Sequence, residues 1–217
     1  MEFKLFHKLA SLEGIELIMF IIAGVVFLGL LALVILYRKK NKPAEGIAEP
    51  AKAPLNKTQK LVYGALSLTL AFVLSYFKLF SLPFGGTITL VSMLPIFAYA
   101  AYFGPAYGFT AAFAFSLLQV IQGAYIVHPI QFVLDYFVAF TLMGVASFFP
   151  KNVPLGAAVA GLSRMLASTV SGAIFFKDAG FSYGFANPWV YSLIYNGLTI
   201  GVDTLLCVAV AALPPVK

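Results

Sequence analysis

Asp135 lies in a strongly apolar part of the chain, near the end of the segment GAYIVHPIQFVLDY (residues 123–136). An acid inside a membrane segment is costly unless it is solvated or paired, so it indicates a functional site. Gln131 lies one helical turn earlier, and Tyr136 follows directly. A carboxylate beside tyrosines suits an organic cation, through charge neutralisation and cation–π contact. A structural pairing of Asp135 with an interior cation, or a role in proton coupling, is the alternative.

Two later apolar segments carry stripes of polar or small residues at helical spacing. The stripes are Gly161, Arg164, Ser168 and Gly172 in one segment, and Ser192, Asn196, Thr199 and Asp203 in the other. This spacing places each set on one helix face, and polar faces of membrane helices point to the protein interior or a cavity. Arg164 and Asp203 should lie at the same depth, so we expect an ion pair that closes the floor of a cavity. In the alternative, Arg164 reaches towards Asp135 or a ligand.

The composition is that of an integral membrane protein. The 217 residues are 61% hydrophobic and only 10% charged, whereas soluble domains carry about 25% charged residues. The net charge of +6 does not indicate nucleic-acid binding, because seven of the fourteen Lys and Arg lie in residues 38–60, beside an apolar run. That arrangement is typical of a cytoplasmic membrane flank.

The charge distribution predicts the topology. Residues 15–36 form an apolar run long enough to span a bilayer, and the basic residues after it place the N-terminus outside. We expect an anchor helix within 1–37, a basic flexible cytoplasmic linker at 38–60 and a six-helix transmembrane domain at 61–217. The predicted spans are 61–80, 87–103, 106–122, 130–149, 155–176 and 189–212. Six crossings return the C-terminus to the cytoplasm and leave the loops 81–86, 123–129 and 177–188 outside.

Several single residues have less specific explanations. Trp189 is expected in the aromatic belt at the membrane interface, and His128, before Pro129, is expected to cap a helix. Pro95 falls inside the second span and is expected to kink it. Ser67, Ala71 and Ser75 recur every four residues, which favours close approach of another membrane helix or packing within the same bundle.

The sequence contains little that favours catalysis. No His, Cys, Asp or Glu cluster has metal-ligand spacing, and no phosphate-binding glycine loop is present. A membrane enzyme would need a paired acid and base or an activated nucleophile. The apolar spans contain only two separated acids and one arginine. We therefore expect a binding or transport protein and no bound metal.

The segment 61–213 resembles the thiamine-binding S-components of energy-coupling factor (ECF) transporters, the ThiT/YuaJ family. Four stretches in matching order carry the resemblance: LPFGGTITLVSMLPI at 82–96, GAYIVHPIQFVLDY at 123–136, SGAIFF at 171–176 and VYSLIYNG at 190–197. The resemblance implies an all-α, six-helix S-component in a bacterial cell membrane that captures thiamine from outside. It also implies partners, namely a transmembrane coupling subunit and two ATPases that use ATP, and no cofactor for this chain.

The resemblance also assigns residues. It makes Asp135 the acid that faces the thiamine cation and Gly172 a position of close ligand approach. Tyr125, Tyr136, Tyr191 and Asn196 fall on other pocket positions. Ser168 and Phe176 also fall in the pocket, where family members can have His and Trp. Ser67 and Ala71 fall where the family contacts the coupling subunit.

The expected function is therefore capture of extracellular thiamine for ATP-driven import. Two alternatives stay open, an S-component for another vitamin and a proton-coupled secondary transporter of an organic cation.

Overall fold

The computed structural model describes residues 55–213, which form a bundle of helices. The helices are α1 (Lys57–Tyr76), α2 (Leu94–Phe103), α3 (Pro105–Gly123), α4 (Pro129–Phe148), α5 (Val153–Phe175), α6 (Lys177–Ser182) and α7 (Pro188–Ala211). The predicted all-α membrane class is confirmed, with one small β-hairpin as an addition. The predicted anchor helix and most of the predicted linker lie outside the described residues.

Side-chain caps and prolines set where the helices begin. Asn56 and Gln59 form a reciprocal capping box at the start of α1, with hydrogen bonds of 2.8 and 2.9 Å. The helix therefore begins at Lys57, and the last residues of the predicted linker belong to it. At the start of α4, the His128 Nδ1 accepts a hydrogen bond from the Ile130 N–H at 3.1 Å, which confirms the predicted cap.

The second predicted span is wrong in its first half. Strand β1 (Lys78–Ser81) pairs antiparallel with β2 (Thr87–Thr89), and a short turn of 3₁₀-helix joins them. The alternation of Thr87, Ile88 and Thr89 has the period of a strand, and glycines precede it. Helix α2 begins only at Leu94. Pro95 occupies its first turn, where a missing N–H costs nothing, and does not kink it.

Within residues 55–213, four helices are long and apolar enough to cross a membrane: α1, α4, α5 and α7. Helix α2 has 10 residues and spans about 15 Å, roughly half of the hydrocarbon thickness of a bilayer. The expected six complete crossings therefore stay a prediction.

The apolar core fills one end of the bundle. Its buried members include Phe97, Phe115, Met143, Phe149 and Cys207, which come from α2, α3, α4, the end of α4 and α7. Ala71 of α1 is 0% exposed and packs into this core, while Ser67 is partly buried. Ala71 is therefore not on an exposed face, and the structure favours packing within the bundle over the partner contact expected there.

Small residues allow the helices of the core to approach closely. A Cβ added at Gly144 of α4 would lie 2.7 Å from the Phe109 ring and 2.8 Å from its Cα on α3. A Cβ at Gly156 of α5 would lie 3.0 Å from the backbone oxygen of Ala146. Neither helix pair can keep its present spacing with a larger residue at these positions.

We expect Gly144→Ala to destabilise the protein by about 1–3 kcal/mol, because the Phe109 backbone cannot move away as a flexible side chain would. The thermal unfolding midpoint of the detergent-purified protein measures the change. Gly197→Ala is the matched control, because a Cβ there meets nothing within 4 Å. Equal midpoints for the two variants would contradict the packing argument.

Candidate functional site

A cavity of about 180 Å³ lies at the other end of the bundle, between α1, α3, α4, α5 and α7. Its lining includes all eight residues assigned to substrate binding from the sequence: Tyr125, Asp135, Tyr136, Ser168, Gly172, Phe176, Tyr191 and Asn196. The structure thus brings together residues that are up to 71 positions apart in the chain.

Asp135 lies in a π-helical segment of α4, Val133–Val138. Such segments are rare and are frequent at functional sites. The Asp135 Oδ2 accepts a hydrogen bond from Gln131 Nε2 at 2.8 Å. The same Gln131 side chain donates to the Tyr125 carbonyl at 3.2 Å and accepts from the Val127 N–H at 3.1 Å. Gln131, which is 2% exposed, therefore fixes both the carboxylate and the loop before α4.

Three aromatic rings form a cap at the cavity, and each comes from a different connection. Phe84 of the hairpin, Tyr125 of the α3–α4 loop and Phe176 at the end of α5 have centroids 6.0–6.1 Å apart. Tyr183 adds an edge contact to Phe84 at 6.4 Å. We call Phe84, Tyr125 and Phe176 the aromatic cap. Phe176 therefore lies against both other rings of the aromatic cap.

The hairpin is attached to α7 through Tyr195. The Tyr195 hydroxyl donates to the Pro83 carbonyl and accepts a hydrogen bond from the Gly86 N–H at 2.8 Å. A Cβ at Gly86 would collide with the Tyr195 ring, so glycine is required for this approach. The cap residue Phe84 is therefore held on a segment fixed to α7.

Asn196 ends the α-helical part of α7, and the π-helical segment Gly197–Gly201 follows. Its Nδ2 donates to the Ser192 carbonyl at 2.9 Å. Among the described residues, no donor reaches its Oδ1, so this oxygen is available to a bound molecule. Ser192 in turn donates to the Thr169 carbonyl on α5 at 2.7 Å.

Gly172 and Ser168 form the α5 side of the cavity. A Cβ at Gly172 would collide with the Ser192 hydroxyl, so glycine lets α5 and α7 meet at the cavity wall. Ser168 is buried, with 8% of its surface exposed, and lies beside Asp135. The resemblance predicts close ligand approach at Gly172. The packing of α5 against α7 is a separate reason for a glycine at this position.

Arg164 and Asp203 do not form the expected direct ion pair within the described residues 55–213. Arg164 lines the cavity, donates to the Met93 sulfur at 2.7 Å and lies with its guanidinium 3.8 Å from the Phe140 ring centre. Asp203 accepts a hydrogen bond from the Thr89 hydroxyl at 2.7 Å. Residue counting assumed a regular α-helix, and it missed both the π-helical segment before Asp203 and its partner in β2.

Sequence analysis also missed part of the lining and misplaced one aromatic residue. Ser75, Gln119 and Gln122 line the cavity from α1 and α3. Glutamines in an apolar span were the signal available for them.

Trp189 is 3% exposed, so its assignment to the interfacial belt is wrong and its ring belongs to the protein interior.

Comparisons of the sequence and the fold with known proteins point to the same group of transporters. Residues 61–217 match the family described as thiamine transporter protein (Thia_YuaJ). The thiamine transporter ThiT of Bacillus subtilis (strain 168) is 30% identical over 150 residues, which cover 61% of this chain and 77% of that protein.

A solved structure of ThiT from Listeria monocytogenes shares the fold. Its TM-score is 0.60 at 22% identity, and the match covers 72% of this chain and 95% of that one. The family match, which spans more than half of the sequence, establishes that this chain belongs to the thiamine transporter protein family.

Proposed function

We propose that the chain is the substrate-binding membrane subunit that captures thiamine at the outer face of a bacterial cell membrane. Membership of a transporter family supports a role in thiamine uptake and not in catalysis. The observation that carries the proposal is the placement of the Asp135 carboxylate in a cavity with an aromatic cap.

The cavity chemistry suits the cationic thiazolium ring of thiamine. The Asp135 carboxylate can neutralise its permanent charge, and this attraction is stronger inside a membrane domain than in water. The rings of the aromatic cap offer faces for cation–π contact and stacking. Phe176 provides such a face without a hydrogen-bonding group.

The remaining polar groups suit an aminopyrimidine ring. The free Asn196 Oδ1 can accept a hydrogen bond from its amino group. The Tyr136 hydroxyl accepts from the Tyr125 N–H at 2.8 Å, so its own proton remains available to donate to a ring nitrogen. Gly172 lets α5 and α7 meet at the adjoining wall.

We infer that the cavity faces the outside. The hairpin turn, the α3–α4 loop and the α5–α7 connection meet at this end of the bundle, and the positive-inside rule predicts all three outside. The same rule places the N-terminus outside and the C-terminus in the cytoplasm.

Import would then use partner subunits. The sequence contains no phosphate-binding loop, so ATP use is assigned to two ATPases joined through a transmembrane coupling subunit of an ECF module. Ser67, which is partly buried, remains a candidate contact on α1, whereas Ala71 belongs to the core.

We expect Asp135→Asn to weaken thiamine binding at least about 30-fold, because it leaves a buried cation without its counter-charge. Titration of the purified chain with thiamine, followed by intrinsic Trp and Tyr fluorescence, measures the affinity. Asp203→Asn is the matched control: it should lower the unfolding midpoint, because a neutral amide oxygen accepts the Thr89 hydroxyl less strongly than a carboxylate does, and leave the affinity little changed.

A wild-type protein that fails to bind micromolar thiamine would overturn the proposed function. Selective loss of binding in Asp203→Asn, with Asp135→Asn unaffected, would reverse the roles of the two acids. Binding of a different vitamin in place of thiamine would support the alternative S-component.

We expect the chain alone in proteoliposomes to bind thiamine without accumulating it. Radiolabelled thiamine uptake, with and without an imposed proton gradient, is the measurement. Addition of the ATPase-containing module purified from the same bacterium should give ATP-dependent uptake. Uptake by the chain alone that an uncoupler abolishes would instead establish a proton-coupled secondary transporter.

A further inference from the structure

The charged residues that line the cavity do not match a ligand that is only cationic. They are one acid, Asp135, and two bases, Lys78 and Arg164. The thiazolium ring of thiamine would pair with Asp135 and would leave both bases without an anion from the ligand. The two bases differ in whether the protein itself already compensates their charge.

Arg164 is compensated within the protein. Its guanidinium lies over the Phe140 ring and donates to the Met93 sulfur. Asp203 is the acid that acts most strongly on its charge, and Asp135 acts on it less. The Arg164 Nε is buried, so this part of the group is closed to a ligand. Arg164 therefore does not need an anion from outside.

Lys78 of strand β1 has no such compensation. Within residues 55–213 its ammonium forms no ion pair or hydrogen bond, and its side chain is exposed. Lys78 lies opposite Thr89 of β2, and directly opposed residues of paired strands project from the same face. Thr89 donates to Asp203 inside the protein. Lys78 therefore belongs to the inner face of the hairpin and lines the cavity where solvent reaches it.

A hydroxyl group on the same face of the hairpin adds a second donor. Thr87 lies two residues before Thr89 on β2, so both project from one face, and Thr87 lines the cavity. Its hydroxyl has no hydrogen-bond partner among the described residues. An ammonium group and a hydroxyl group can both donate to the oxygens of a phosphate.

We propose that Lys78 and Thr87 form a subsite for a phosphate group, and that the chain captures a phosphate ester of thiamine as well as thiamine itself. This inference rests on the proposed function. In thiamine monophosphate the hydroxyethyl oxygen carries the phosphate, so one small molecule holds a cationic ring and an anionic group. The cavity holds the opposite charges on separate elements, with Asp135 on α4 and Lys78 on β1.

The exposure of Lys78 suits this role. A phosphate bound where solvent reaches does not have to be fully desolvated, and complete desolvation of a charge is costly. The cationic ring can lie deeper, against the carboxylate and the aromatic cap. The expected contribution of Lys78 is then moderate and weakened by salt.

The head groups of phospholipids offer the same phosphate chemistry, because lysines near a membrane surface attract anionic lipid. The strand register favours the ester, since it assigns Lys78 to the inner face of the hairpin. The two sources differ in their effect on ligand preference. A lysine that binds lipid phosphate does not change the relative affinity of the cavity for the ester and for thiamine.

The test compares thiamine and thiamine monophosphate on the purified full chain in a detergent free of phospholipid. Intrinsic Trp and Tyr fluorescence gives the ratio of the two dissociation constants. We expect Lys78→Gln to weaken binding of the ester about 10-fold more than binding of thiamine, because it removes a charge-assisted contact at a partly solvated site. Lys78→Arg should keep the ratio of the wild type.

Lys177→Gln is the matched control. Lys177 follows the cap residue Phe176, is exposed and does not line the cavity, so its substitution should also keep the ratio. An equal change of the ratio in Lys177→Gln and Lys78→Gln would assign the effect to the general charge of this face and would overturn the subsite.

The remaining outcomes separate the subsite from the proposed function. A wild type that binds thiamine and not the ester overturns the subsite alone, whereas a wild type that binds neither overturns both. An unchanged ratio in Lys78→Gln, or an equal loss of affinity for both ligands, also overturns the subsite. The same titrations in nanodiscs of phosphatidylglycerol distinguish the two sources of phosphate. A Lys78→Gln effect that persists there supports the ester, and one that disappears assigns Lys78 to lipid head groups and overturns the proposal.

Discussion

The hydrogen bond from Gln131 to Asp135 is the interaction on which the cavity depends. A carboxylate in a membrane domain needs a partner, and Gln131 supplies one while its other contacts hold the loop that carries Tyr125. One buried amide thus fixes the position of the anion relative to a ring of the aromatic cap. The π-helical segment around Asp135 adds to this arrangement, since it departs from regular α-helical spacing where the carboxylate is presented.

The two ends of the bundle differ in how closely their helices pack. At the core end, glycines and alanines bring the helices close together, as at Gly144 against Phe109. At the cavity end, polar side chains and π-helical segments hold the helices apart around an open volume. Gly172 and Gly86 are the exceptions, because each permits a contact that closes the wall.

Sequence reasoning predicted the members of the site better than their partners. Asp135 and Asn196 stand out because polar residues are unusual in apolar spans, whereas most of the aromatic lining residues were assigned by the family resemblance; all of them line the cavity. The Arg164–Asp203 pair failed because it required a count along regular helices, and a local π-helical segment leaves no clear signal in the sequence. The two strands were assigned to the ends of two neighbouring predicted spans because each strand is short and adjoins an apolar run. Burial of Ala71 and Trp189 depends on which helix packs beside them, which no local pattern records.

The burial of α2 has a consequence for the irregular chain before it. Helix α2 spans about 15 Å, and all of its side chains except Tyr102 are buried or half-buried. The hydroxyls of Thr89 and Ser92 lie 2.7 Å apart beside Asp203, so the irregular chain before α2 has its polar partners inside the protein. Non-helical backbone is tolerated at membrane depth only where protein or a water-filled cavity surrounds it. The neighbouring helices provide that surrounding here.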